Sequence, residues 1–203
     1  MGIMVTENAD PDAQSGGRSR RRPIVPSAEA KVRLIDTAID LLRELPFDEV
    51  TARKVTDAVG LALPTISRNF GSMEGLFASV SNELLERAFR RTSVIQDLGV
   101  FFDPDLVLRT RLLAWLIAEG SDPAVFRTTF VDDVTDQFRK ESGGVSDRTA
   151  RAWLHTVTFL LEGFAVFSEV RELSEQEFLD GFELLRVLRT KLLSVETELG
   201  WAE

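Results

Sequence analysis

The chain has 203 residues, 44% of them hydrophobic, and a formal net charge of -9 at pH 7. A chain of this length buries roughly 70% of its unfolded surface without staples, and it contains no cysteine, which excludes disulfides, thiolate metal sites and cysteine nucleophiles. No apolar run reaches signal-peptide or membrane-spanning length, so a cytoplasmic protein without a membrane partner is expected.

The charge is unevenly divided. Residues 1–95 hold 13 Lys and Arg against 13 Asp and Glu, whereas residues 96–203 hold 11 against 20. Attraction for nucleic acid must therefore come from individually placed side chains, since no broad basic surface is available.

Residues 1–26 mix Asp, Gly, Ser and Pro with an arginine run, Arg18, Arg20, Arg21 and Arg22 ahead of Pro23, and are expected to be a disordered basic arm. Such an arm can be a solvated tail, or it can lie along phosphates or enter a minor groove. From Ser27 onward Leu34, Ala38, Leu41, Leu42 and Leu45 recur at helical spacing, which predicts a first helix ending near Pro46. Thr51 is suited to cap a short second helix through Val59. Gly60 breaks it, and Pro64 fits the first turn of a third helix reaching Phe70. Ser72 opens a fourth helix through Arg91, with Leu76, Phe77, Val80 and Leu84 on its apolar side.

In the second half, Asp103-Pro104 and Asp122-Pro123 each read as a cap followed by proline in the first turn. Ser174 with Glu177 forms a capping box, and Gly120 and the Gly143-Gly144 pair stand where helices should stop. Helices are expected over 104–119, 123–141, 147–171 and 175–198. No stretch alternates long enough for a convincing strand and no internal repeat is evident. The expected fold class is all-α: an N-terminal three-helix helix-turn-helix domain over 27–71 joined to a larger helical domain over 72–203.

A helix, a turn around Gly60 and a second helix entered through Pro64 make a helix-turn-helix, whose second helix lies in the major groove. Val55, Val59, Leu61, Ile66 and Phe70 can face Leu34, Ala38 and Leu42, which leaves Thr65, Ser67, Arg68 and Asn69 outside. These are groove-reading chemistries: Arg forks onto guanine, Asn onto adenine, and a hydroxyl bonds a base edge or touches a thymine methyl. Thr51 brings a helix N-terminus to a phosphate, and Arg53 and Lys54 add charge beside it.

The segment AEAKVRLIDTAIDLLRELPFDEVTARKVTDAVGLALPTISRNFGSMEGLF, from Ala28 to Phe77, resembles the DNA-binding segment of the TetR family of transcriptional regulators. The Thr opening the second helix, the Gly of the turn, the Thr65-Ile66 pair, Phe70 and Leu76 carry that resemblance. The family usually has Tyr where this chain has Ser67, often His where it has Asn69, commonly Lys where it has Met73, and frequently Gly where it has Pro46. Loss of the Tyr and the Lys removes two usual phosphate contacts. The resemblance implies a DNA-binding site comprising Thr51, Arg53, Lys54, Pro64, Thr65, Ser67, Arg68 and Asn69.

The long helices exceed what a DNA reader needs. The last two are the best dimer candidates: Phe178, Phe182, Leu185, Leu188, Leu192 and Val195 form a stripe on the final one, and Gly163 and Gly181 permit close helix approach, which suits a four-helix dimer interface. The same stripe can instead pack within its own subunit. Trp115, then Phe126, Phe130 and Phe138, then Phe159, Phe164 and Phe167 fall on helices expected to face one another, and could line an apolar cavity for a small ligand or be plain core. The single histidine, His155, cannot make a usual zinc site, so neither metal nor cofactor is expected. No glycine-rich phosphate loop and no placeable Ser, His and acid set support an enzyme; Glu162 and Glu169 are the least poor acid-base candidates.

The expected function is therefore a dimeric transcriptional regulator, a repressor that binds a pseudo-palindromic operator and is released by a small, largely apolar ligand. The alternative is a small-molecule-binding or protein-interaction module whose DNA binding has weakened.

Overall fold

The computed structural model describes residues 27–91, 103–127, 130–168, 170, 172 and 174–202, and the side chains at 130, 131, 133 and 175 lie outside that description. The expected basic arm, 1–26, also lies outside the described residues. In chain order the helices are α1 (Ser27–Glu44), α2 (Ala52–Val59), α3 (Pro64–Phe70), α4 (Met73–Arg91), α5 (Pro104–Ala118), α6 (Phe130–Glu141), α7 (Asp147–Phe167), α8 (Glu175–Arg189) and α9 (Leu192–Glu198). Short 3-10 turns occupy Phe47–Glu49 and Pro123–Phe126, and no strand occurs among the described residues.

The apolar stripes foreseen on the first four helices meet in one core. Leu34, Ala38 and Leu42 of α1 pack with Val55 of α2, Ile66 of α3 and Leu76, Val80 and Leu84 of α4, all fully or nearly fully buried. The same core continues through Leu112 and Leu116 of α5 and through Phe126. Trp115 meets Phe47 and Phe77 edge-on, with ring centroids 5.8 and 6.2 Å apart, the arrangement that aromatic quadrupoles favour. The first three helices and α5 thus share one core with α4, which joins the two halves.

The rest of the chain is packed more thinly. One cluster joins Phe138 of α6, Val145, Ala150 of α7 and Leu192 of α9. Another is centred on Phe182 of α8, with Phe89, Leu106, Val157, Leu161 and Phe178 partly buried around it. Among the described residues no helix is long and apolar enough to cross a membrane.

Three expected helices differ in extent. The segment 123–141 is not continuous: Asp122 accepts a hydrogen bond from the Ala124 N–H, a 3-10 turn follows, Arg127 is extended, and the helix restarts at Phe130. Phe126 is anchored in the first core and Phe138 in the second, so the break lets the chain serve two clusters. The segment 175–198 breaks at Thr190 and Lys191, where the Thr190 hydroxyl donates to the Val187 carbonyl at 2.7 Å, a side-chain bond that competes with helix continuation. Helix α7 stops at Phe167 instead of 171, and Glu172 beyond it adopts a positive φ of 52°, incompatible with continuing the helix.

Candidate nucleic-acid interface

Helix α2 is held at both ends. The Thr51 hydroxyl accepts from the Lys54 N–H at 3.3 Å, satisfying one of the unpaired first-turn donors. At the other end Gly60 takes the left-handed conformation (φ 75°, ψ 22°) while the Gly60 and Leu61 N–H groups return to Asp57 and Thr56, a reversal that suits glycine. Arg33 of α1 then donates to the Val59 carbonyl at 3.0 Å, and buried Leu61 draws the turn onto the core. The angle between α2 and α3 follows from these contacts.

Helix α3 enters through Pro64 and buries Ile66, so Ser67 and Arg68 face outward and Thr65 is half exposed. Arg68 makes no hydrogen bond or ion pair with any described residue, which leaves its guanidinium available to a base edge. Ser67 donates to the Pro64 carbonyl at 3.0 Å. Asn69 is turned inward: its amide nitrogen donates to the Thr65 carbonyl at 2.8 Å and its oxygen accepts from the Ser27 hydroxyl at 2.7 Å. In this arrangement Asn69 fixes the start of α1 against α3, and both ends of its amide are engaged. On α2, Arg53 is 86% exposed beside Asp57 at 3.6 Å, and Lys54 pairs with Glu49 at 2.8 Å. Exposed pairs of this kind are weak, so both cations can turn to a phosphate.

Helix α3 is held against α4 by a close backbone approach at Gly75 that the sequence pattern did not signal. A side chain at Gly75 would fall inside contact distance of the Phe70 carbonyl oxygen and carbon. The first turn of α4 therefore rests directly on the end of α3, with Ser72 capping it through the Gly75 N–H at 3.0 Å.

A charged cluster ties this unit to α5. Asp105 is 1% exposed and accepts from Arg43 of α1 at 2.5 Å and from Arg91 of α4 at 2.6 Å, while Arg91 also forks onto Asp103. Burial pushes the Asp105 carboxyl up, but hydrogen bonds from Arg91 and Arg43 outweigh it and hold the group below its ordinary value. A second pairing, Arg87 with Asp36, joins α4 to α1. Asp103-Pro104-Asp105 reads from sequence as a helix cap. The missed signal was that Asp105 shares the buried stripe of Leu112 and Leu116.

The expected ligand-pocket residues do not converge. Trp115 and Phe126 belong to the first core, Phe138 to the second, where Arg189 lies over its ring at 5.1 Å. Phe164 stacks on Phe178 at 3.6 Å, while Phe159 and Phe167 are 69% and 53% exposed. The Phe130 side chain lies outside the described residues. The expected dimer stripe also divides: Phe182 and Leu192 are buried and Phe178 and Leu185 half-buried against their own subunit. Leu188 and Gly181 are exposed and Gly163 is half-buried. A six-residue helical spacing cannot tell which side of an amphipathic stripe meets its own bundle, and α8 is apolar on both.

Residues 34–80 match the family model of bacterial regulatory proteins, tetR family. No curated protein sequence matches the chain. Among solved structures, the chain superposes on BioQ with its natural double-stranded DNA operator at 18% identity and a TM-score of 0.53, covering 79% of this chain and 97% of that one. A TetR variant from Acinetobacter baumannii AYE in complex with minocycline matches at 18% identity and a TM-score of 0.49, covering 83% of this chain and 93% of that one.

Proposed function

We propose, from a chain whose N-terminal domain is that of the bacterial tetR-family regulatory proteins, that it acts as a dimeric repressor, binding a pseudo-palindromic operator through α2 and α3 and releasing it when a small, largely apolar ligand enters the C-terminal helices. The observation that carries this reading is Arg68, exposed and unpaired by any described residue, on a reading helix whose orientation is fixed by Gly60, Ile66 and Gly75. A bidentate arginine contact discriminates between bases by about 1–3 kcal/mol. Thr65 and Ser67 flank it, and the α2 N-terminus with Arg53 and Lys54 faces the phosphates.

The placement of Ser27 supports a role for the arginine arm. Its hydrogen bond to Asn69 brings the start of α1, where the arm ends, beside α3.

Pairing is assigned to the apolar face that the single chain leaves uncovered. Phe159, Leu160 and Phe167 on α7 and Leu184 and Leu188 on α8 are all exposed. Gly163 and Gly181 lie at matching helical spacing, each with open space where a side chain would stand. An apolar surface of this kind marks an association site, and two helices from each copy form a four-helix interface. Two reading helices joined in this way address half-sites about 34–36 Å apart. Ligand binding then acts by population shift: α5 moves relative to α7, and the Arg43, Asp105 and Arg91 cluster passes the displacement to α4 and α3.

The engaged Ser67 and Asn69 side chains favour a second reading, a ligand-binding module with weakened DNA affinity. A salt titration of binding to a random pool of duplex DNA separates the two. A DNA-binding regulator shows log affinity falling steeply and linearly with log salt, whereas flat or undetectable binding at low salt selects the module.

A further inference from the structure

Helix α5 carries a second charged residue on its inner side, one turn beyond Asp105. Arg109 is partly buried, its Nε is shielded from solvent without a hydrogen-bond partner, and no described residue pairs with it. Glu162 on α7 is the acid whose charge it feels, yet neither a hydrogen bond nor an ion pair joins them, and Glu162, half-buried, makes no such bond to any described residue. The contrast with Asp105, satisfied by two arginines, is local and sharp.

Burial pulls the Arg109 guanidinium below its ordinary value against the attraction of Glu162, and pushes the Glu162 carboxyl up against the attraction of Arg109. Each group is therefore desolvated more than its distant neighbour compensates. A guanidinium donor shielded from water with no acceptor is costly unless something completes it, and the acceptor that matches the arginine fork is a carboxylate. On the same two helices Leu106 of α5 and Leu161 of α7 are partly buried in the apolar cluster around Phe182. Helix α7 is joined to α5 in this region by Arg111, whose Nε donates to the Ala165 carbonyl at 2.9 Å.

We propose that Arg109 is the anion receptor of the effector site, that the effector is a small carboxylic acid with an apolar body, and that Glu162 receives a hydrogen bond from a donor on the same ligand or from its bound water. This inference rests on the ligand-responsive reading above and names the ligand class for it.

The full chain, free of DNA, tests it by thermal shift and calorimetry with octanoate and 4-phenylbutyrate against their uncharged amides. The expected result is stabilisation by at least one acid, with its Kd roughly tenfold or more below that of the matching amide, the strength of a charge-assisted bond. Arg109→Gln removes that preference for the acid, and Arg109→Lys retains part of it. The proposal is overturned if neither acid stabilises the wild type, if acid and amide bind alike, or if Arg109→Gln keeps the preference. Should Arg109→Gln fail to fold, the wild-type comparison and the lysine variant still decide. Operator binding is read separately, so loss of the DNA-binding account and loss of the carboxylate assignment produce different results.

Discussion

The N-terminal helices and the C-terminal helices are built to different degrees of completion. Across α1–α4 one core brings residues from every helix to zero or near-zero exposure, and α2 is held by capping contacts at both ends. Across α6–α9 the buried residues fall into two small clusters, while Phe159, Phe167 and Leu184 stay 69%, 53% and 61% exposed. In the proposed account the N-terminal half reads DNA and must present the same surface in every state, which suits its complete core. In the same account the exposed apolar faces of the other half are where a second copy and a ligand would bind. Local stability should follow the same division, with α1–α4 opening least.

The largest effect expected on that division comes from charging the uncovered face. Phe159→Glu or Leu184→Glu should convert the protein to a monomer in sedimentation and weaken operator binding by about 100-fold or more, since each half-site is then bound alone. Far-ultraviolet circular dichroism should be unchanged, because neither side chain contributes to its own subunit's core. Gly75→Ala tests the closed half. The added methyl meets the Phe70 backbone, which cannot yield as a flexible side chain would, and a loss of about 2 kcal/mol in denaturant unfolding is expected.

Next in size is Asp105→Asn at the junction of the halves, which should cost about 2 kcal/mol at neutral pH. The folded Asp105 carboxyl sits below its unfolded value, so its contribution is present above the unfolded value, near pH 4, and is lost as the pH falls through the folded one. The gap in melting temperature between wild type and Asp105→Asn should therefore close in acid, and a gap that stays constant down to about pH 2 would remove the ionic account. Smallest in folding terms is Arg68→Ala, which should leave the melting temperature unchanged while reducing affinity for a specific site roughly tenfold and relaxing preference at one base position.

Much of the fold was legible in the sequence because its punctuation is local. Asp103, Ser174 and Thr51 each cap the helix they were expected to cap, and Gly60 reverses the chain where the helix-turn-helix needs it. What escaped depends on which elements become neighbours. Phe182 and Phe159 are equally apolar in sequence, yet one is buried and the other exposed, since that outcome depends on where α8 lands on α7. Gly75 looks like an ordinary helical glycine until α3 ends against it. Asp105 and Arg109 carried a readable signal as charges on an apolar stripe, but whether each finds a partner depends on Arg43, Arg91 and Glu162 from other helices.

The measurement that tests the account most directly is selection of fragmented genomic DNA by the purified full chain, sequenced beside Arg68→Ala. The account predicts a palindromic motif whose half-sites lie one helical turn apart and which is lost or relaxed in the variant. Absence of any enriched motif at low salt, or an identical motif recovered with Arg68→Ala, would contradict it.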